Sequence, residues 1–343
     1  MEDLVSELDA VVTRTEELWE GLRGARLFIT GGTGFFGCWL LETLLRANDR
    51  LDLGVQAVTL TRDGGAFASK APHLARHAAV TLHPGDLRSF VFPGGAFSHV
   101  VHAGMEASTG LDARDPATAF DVIVHGTARA LAFAHQAGAT RFLFTSSGAI
   151  YGRQPPELSH VPEDYRGAPD PSDPRAVYAE GKRAAEMLCA VHAGGSLQPV
   201  IARCFAFVGP YLPLDAHFAV GNFIRDALAG GPIRVQGDGT PYRSYLYGSD
   251  LAVWLWTILL QGQPLRPYNV GSGDAVTIAG LAEAVRSAVA PAAKVEVAAR
   301  PEPGAQPSRY VPSVRRAEQE LGLRPTVSLE DAIARTARFV RQW

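Results

Sequence analysis

The chain has 343 residues, 47% hydrophobic and 20% charged, with a formal net charge of −3. That is enough apolar material for a sizeable core, and it excludes the clustered basic face of a nucleic-acid binder. Cys38, Cys189 and Cys204 are far apart and odd in number, so neither a disulfide framework nor a CxxC metal knot is expected, and no metal site. A reducing cytoplasm is the expected location. The acidic start M-E-D-L-V-S-E-L-D has no signal-peptide pattern. The longest apolar run, near 251–260, falls short of the roughly 20 residues that span a bilayer, so no membrane partner is expected.

Leu4, Val5, Leu8, Val11, Val12, Leu18, Trp19 and Leu22 fall on one helical stripe. They predict a lead helix over 4–22 that packs on the body of the protein or on a partner subunit. An apolar strand at 25–30 runs into T-G-G-T-G-F-F-G (30–37) and then a helix. Strands follow at 55–61, 80–82 and 98–102, then a helix near 117–137, a strand at 141–146, a helix near 176–192 and a strand at 200–202. Strands alternating with helices give an α/β fold, a doubly wound parallel sheet with crossovers. The Pro-, Asp- and Glu-rich stretch 152–175 reads as a surface loop of functional length. From about 206 onward the pattern is irregular, with G-D-G-T-P and Y-N-V-G-S-G turns, and a smaller, interleaved substrate-binding region is placed there.

The segment 30–37 ends a strand and opens a helix. Gly31, Gly34 and Gly37 there, with Thr33, Phe35 and Phe36 between them, form a dinucleotide fingerprint. Glycine lets the backbone turn tightly and approach a pyrophosphate, whose charge the helix N-terminus stabilises. The second strand ends in Thr61-Arg62 where an acid bonding the adenosine ribose would be expected, which tilts the cofactor from NAD toward NADP, although Asp63 is close. Asp86, in G-D-L with Leu87, is read either as a partner of the adenine amino group or as a turn cap.

Tyr178-Ala-Glu-Gly-Lys182 puts a phenol and an ammonium one helical turn apart. A fixed cation lowers the phenol's proton affinity, so the phenolate can take a carbinol proton while hydride leaves for a nicotinamide. Ser147, in F-T-S-S-G-A-I-Y-G, is the hydroxyl expected to hold the substrate oxygen, with Thr145 nearer the cofactor; the alternative is a plain strand-end turn serine.

Taken together, T-G-G-T-G-F-F-G, G-D-L (85–87), V-V-H-A-G (100–104), T-S-S-G-A-I-Y-G (145–152), Y-A-E-G-K (178–182), R-C-F-A-F-V-G-P (203–210), G-D-G-T-P-Y-R-S-Y (237–245) and Y-N-V-G-S-G (268–273) resemble the nucleotide-sugar epimerase/dehydratase branch of the extended short-chain dehydrogenases/reductases. With the stripe giving a helical extension over 1–24, the resemblance implies a Rossmann domain over 25–205 and, over 206–343, a mainly nucleotide-sugar-binding region with some segments returning to the Rossmann domain. It implies a nucleoside-diphosphate sugar as substrate and a homodimer through the helices at 117–137 and 176–192. His102, Ala103 and Gly104 fall in its cofactor motif, Cys204 and Phe205 lie against the nicotinamide, and Arg243, Asn222 and Arg309 are its candidates for the substrate diphosphate and sugar.

Two departures narrow the reaction. Ala206 stands where the family carries Asn, so one polar substrate contact is absent or supplied elsewhere. The family's 4,6-dehydratases follow the catalytic Ser/Thr with Asp-Glu, and its sugar-acid decarboxylases often keep the Glu; here the residues are Gly148-Ala149, and neither transfers a proton. The reading is therefore C4 epimerisation through a transient 4-keto sugar, an internal redox cycle that favours tightly held NAD. The alternatives are an NADPH-dependent 4-ketoreductase, then a dehydratase or decarboxylase, and last a non-catalytic NAD(P)-binding scaffold.

Overall fold

A computed structural model of the chain describes residues 2–104, 111–216 and 218–342. Seven strands make one parallel sheet: β1 (Arg26–Thr30), β2 (Gln56–Thr61), β3 (Val80–Pro84), β4 (His99–His102), β5 (Arg141–Ser147), β6 (Gln198–Cys204) and β7 (Pro267–Val270). Their order is β7-β6-β5-β4-β1-β2-β3. The crossover separating β3 from β4 sends successive strands out from β1 in both directions, which opens a crevice above the strands' C-terminal ends. The Rossmann-type sheet expected from the alternation is present. β7 is the segment of the irregular C-terminal half that returns to it.

The helices used below are α1 (Glu2–Arg14), α2 (Phe35–Leu51), α3 (Pro116–Gln136), α4 (Val177–His192), α5 (Ala219–Leu228), α6 (Gly248–Gln261), α7 (Ile278–Val289) and α8 (Leu329–Gln342). Asp115 caps α3 by accepting from the Thr118 amide at 3.1 Å, and Pro116 follows at the first turn, where a missing N–H costs nothing. α3 and α4 pack on each other on one face of the sheet; α2 and α6 cover the other. The apolar run of 251–260 is a core helix: Trp254 and Trp256 are buried, and the Trp256 indole donates to Thr43 Oγ1 at 3.0 Å.

The lead helix differs from expectation. Its stripe is continuous, but the helix stops at Arg14 and resumes as short turns at Glu16–Trp19 and Glu20–Leu22. The break is at Thr15, whose backbone leaves the helical region (φ −125°, ψ 23°) while its hydroxyl donates to Val11 O at 2.6 Å and accepts from the Trp19 indole at 2.9 Å. Leu8, Val11 and Val12 are buried, and α1 lies on α2 within the same subunit.

Beyond 206, Tyr242–Arg243 joins Val276–Thr277 and Arg309–Tyr310 in a three-stranded sheet, and Ile233–Val235 pairs with Val295–Val297. The 152–175 loop is irregular up to a short 3-10 turn at Pro174–Ala176, but it is tied down. Val161 N donates to Val311 O at 2.9 Å, and the buried Glu163 accepts from the Asn269 amide at 3.0 Å. His160 Nε2 is 2.8 Å from Gly273 O. The loop thus ties the last strand of the small sheet to the main one.

Candidate active site

The turn from β1 into α2 depends on two glycines. Gly31 has φ +72°, and a Cβ there would stand 2.3 Å from the Ala103 carbonyl oxygen at the end of β4. A Cβ on Gly37 would come within 2.2 Å of Gly32 Cα, so α2 presses directly on the turn. Two cavities of about 450 Å3 each open above the sheet, and Ala103 belongs to both walls. One is bounded by Gly31, Thr33, Gly34, Thr61, Asp86 and Leu87. The other holds Ser147, Tyr178, Lys182, Cys204, Phe205 and Arg243, with Phe35, Phe36 and Thr145 also in its wall. A cleft of this form, with bare backbone at its centre, accepts a dinucleotide pyrophosphate.

At the first cavity's far end the charges are specific. Asp63 is committed to capping the helix at Gly64–Lys70, accepting from Ala66 N at 2.8 Å. Asp86 accepts from the Arg88 amide and guanidinium, both at 2.9 Å, which holds its carboxyl below the usual range. It is therefore a turn cap as well as part of the wall. Arg62, Arg88 and Arg114 all line this end.

His102 lies outside both walls, 1% exposed, and is corrected from a cofactor contact to a support beneath the cleft. Its hydrogen bonds run in one direction. Thr127 donates to Ile123 O at 2.6 Å, so its oxygen accepts from His102 Nε2–H at 3.0 Å. Nδ1 is left to accept from the Thr30 hydroxyl at 2.7 Å, and Thr30 in turn accepts from the Gly104 amide at 3.1 Å. Burial and the Lys182 charge lower the ring's pKa to about 3, so it is neutral.

The three catalytic candidates meet in the second cavity. Ser147 ends β5, 6% exposed, and its oxygen accepts from Ala149 N at 3.1 Å. It is a turn serine and a cavity residue at once, with its own proton still to donate. Tyr178 opens α4 and is half-buried. Lys182, one turn on and 2% exposed, donates to Thr145 O at 2.9 Å and sits 5.7 Å from the Tyr178 ring centre. A buried ammonium so close to a phenol favours the phenolate. Burial pushes the Cys204 thiol up to about 12, so it stays protonated and serves as an apolar neighbour.

Beyond Ser147 the wall is aromatic. A Cβ on Gly148 would lie 2.6 Å from Phe205 Cζ. Phe205 stacks on Tyr310 with ring centres 4.7 Å apart. Arg243 reaches the cavity and donates to Tyr242 O at 2.7 Å. Two expected substrate contacts stand elsewhere. Asn222 is one turn beyond Phe218 and Ala219, which do line the wall, and its amide oxygen accepts from Arg225 at 3.3 Å. Arg309 lies over the Tyr242 ring at 4.2 Å, because neighbours on a strand face opposite ways and Tyr310 takes the cavity side.

The sequence signature of the NAD dependent epimerase/dehydratase family matches residues 27–271. UDP-glucuronic acid decarboxylase 2 of Arabidopsis thaliana is 31% identical over 321 residues, covering 93% of this chain and 69% of that protein. The chain belongs to the NAD dependent epimerase/dehydratase family. A dTDP-glucose 4,6-dehydratase from Streptomyces venezuelae, solved with NAD, superposes with a TM-score of 0.76 at 25% identity, covering 92% of this chain and 97% of that one. The UDP-glucose 4-epimerase of Thermotoga maritima has the same fold, with a TM-score of 0.76 at 22% identity, covering 92% and 99%.

This epimerase/dehydratase site also uses residues that sequence reasoning passed over. Glu186, one turn after Lys182, pairs with Arg203 through two contacts of 3.0 and 2.8 Å and accepts from Ser146. Arg203 also donates to the Tyr151 hydroxyl at 2.9 Å, which donates to Asn269 at 2.8 Å. The network bolts α4, β5, β6 and β7 together under the three candidate residues. The i, i+4 spacing of Lys182 and Glu186 was the one signal available for it. Tyr310, which shares the cavity wall with Ser147 and lies against Phe205, carried none, since nothing local links those segments.

Proposed function

We propose that this protein converts a nucleoside-diphosphate sugar through its 4-keto form and returns it as the C4 epimer. The observation that carries the reading is the wall beside Ser147: Gly148 and Ala149 have no proton to move, and the Phe205 ring fills the space a side chain at 148 would need. Water loss at C5 and C6 therefore lacks its acid and base. When bound, the nicotinamide nucleotide supplies an acceptor and donor of hydride. Tyr178 takes the proton from O4, Ser147 holds that oxygen, and Lys182 keeps the phenol acidic enough to act near neutral pH. Arg243 is positioned to pair with the diphosphate, as guanidinium does bidentately. Ala206 and the surrounding rings offer the sugar few fixed hydrogen bonds, which suits an intermediate that must turn over.

At the adenosine end, Thr61 and Arg62 replace a ribose-binding carboxylate and Asp63 is spent on its cap, which supports a 2′-phosphate as in NADP, whereas the internal redox cycle of an epimerase favours NAD. Phe120, Met187 and Val191 are exposed on α3 and α4, 41%, 64% and 70% respectively, and support a homodimer through those helices. A second reading, decarboxylation of a nucleotide uronic acid, is favoured by the identity with the plant decarboxylases.

The test is to incubate purified protein with UDP-glucose and with UDP-glucuronic acid, and to follow products by mass spectrometry and NMR. Epimerisation yields the C4 epimer at unchanged mass without net cofactor consumption. Loss of carbon dioxide selects the second reading, and loss of water sinks both. Stoichiometric consumption of NADPH with a 4-keto sugar would instead identify a one-way reductase. Tyr178→Phe should lose ~10²–10⁴-fold in rate with its fold intact.

A further inference from the structure

The chain enters one wall of the second cavity through a turn that holds the wrong kind of residue. The Leu212 amide donates to Gly209 O at 3.2 Å, which closes a four-residue turn with Pro210 and Tyr211 at its centre. Tyr211 has φ +72°. Proline first and a left-handed residue second is the pattern of a type II turn, and the second place normally belongs to glycine or asparagine. A side chain as large as tyrosine disfavours that backbone by about 5–30-fold in population.

Such strain persists only where the surroundings over-determine it. Tyr211 is buried, and its hydroxyl donates to Glu42 of α2, which is buried too. Burial and the Glu42 charge push the phenol's pKa up, so it keeps the proton it donates. The same Glu42 oxygen lies 2.8 Å from His73 Nε2. Phe339 of α8 meets the Tyr211 ring edge-on, with ring centres 5.0 Å apart. The Trp39 indole, also on α2, donates to Pro210 O at 3.0 Å. The residues that follow the turn are the cavity itself. Leu212 and Pro213 stand in the wall that also holds Ser147, Tyr178 and Arg243. Their segment lies against α5, where a Cβ on Gly221 would come within 2.9 Å of Pro213 O. Relaxing φ at 211 would redirect the chain at Leu212.

We propose that Tyr211 is a positioning residue: its bond to Glu42 holds the turn in the strained form, and the strained form sets Leu212 and Pro213 where the sugar packs. The inference rests on the reading of this cavity as the sugar site. Because Glu42 is carried by the helix that presses on the glycine turn, one element registers both the sugar wall and the dinucleotide cleft.

Tyr211→Phe keeps the ring and removes only the hydroxyl. With UDP-glucose and UDP-glucuronic acid as probes, KM should rise about 5–30-fold, because only molecules with the turn in place bind. The kcat should stay within about 3-fold of wild type. Glu42→Leu should match it, whereas Glu42→Gln, which keeps an acceptor for the phenol, should stay within about 2-fold of the wild-type KM. Tyr211→Phe combined with Glu42→Leu should be no worse than either alone, because both remove the same contact. A merely structural residue would lower the melting temperature and the active fraction, and so kcat, at unchanged KM. That result, or additive losses in the double variant, overturns the proposal. If the wild-type protein turns over neither sugar, the functional reading fails, and crystal structures of the wild type and Tyr211→Phe decide this one. Residue 211 should return to negative φ in the variant, with Leu212 and Pro213 drawn out of the cavity wall; an unchanged turn and wall overturn it.

Discussion

Acid should weaken the cleft through His102, and His102→Asn should remove that weakness. The imidazole has a folded pKa of about 3 against an ordinary value of 6.5. For a base depressed by folding, the unfolded chain takes up a proton first as pH falls. Stability is then fully present above pH 6.5 and is lost progressively from 6.5 down toward 3. Each pH unit in that window costs about 1.4 kcal/mol, so at pH 5 the wild type has lost about 2 kcal/mol to this ring alone. His99, lowered to about 4 by burial and Arg141, adds a similar loss, but it is common to both proteins and cancels. Asparagine does not titrate and can still accept from the Thr30 hydroxyl, but it leaves the Thr127 oxygen without its donor, at a cost of about 1–3 kcal/mol at pH 7. Urea midpoints at pH 7 and pH 5, at matched ionic strength, give the stability gap between the two proteins. That gap should narrow by about 2 kcal/mol on acidification. An equal gap at both values would refute the reasoning, because it would mean that the buried ring does not resist protonation.

Arg62→Ala should weaken NADPH binding about 10–100-fold, the worth of one charge-assisted contact, while NADH changes less than about 3-fold; fluorescence titration checks this, and equal losses would remove the 2′-phosphate from the account. Gly31→Ala forces a Cβ at φ +72° against the Ala103 carbonyl. It should cost about 2–5 kcal/mol in strain and overpacking together and abolish dinucleotide binding by calorimetry, so a wild-type Kd is the refuting outcome. Met187→Asp, at an exposed apolar position on α4, should shift the species seen by light scattering from dimer to monomer without altering the circular dichroism. Persistence of a dimer would place the contact elsewhere.

The sheet was legible because parallel strands covered on both faces read as apolar runs, and β1, β2 and β5 begin or end within a residue or so of where those runs do. The glycine turn and the Tyr178–Lys182 pair were legible for a similar reason: each places its groups through one turn of backbone, so spacing encodes geometry. The unbroken stripe over 4–22 misled because hydrophobic periodicity continues across a break in the backbone, which leaves helical angles at Thr15. His102 and Arg309 carried the right residue types in the right motifs, but their partners, Thr127 and Tyr242, come from other elements of the fold, whereas Asn222 is held by Arg225, three residues on in the same helix.

Chain order and local pattern were enough to determine a doubly wound sheet, a place for a dinucleotide, and a phenol–ammonium pair on one helix, since each follows from backbone geometry over a few residues. The character of the second cavity was decided only by tertiary packing. Whether Gly148 faces empty space or a ring, and whether Tyr310 enters the same wall as Ser147, depends on strand register and on a loop clamp between segments far apart in the chain. Non-local packing of that kind leaves no periodic trace in the sequence.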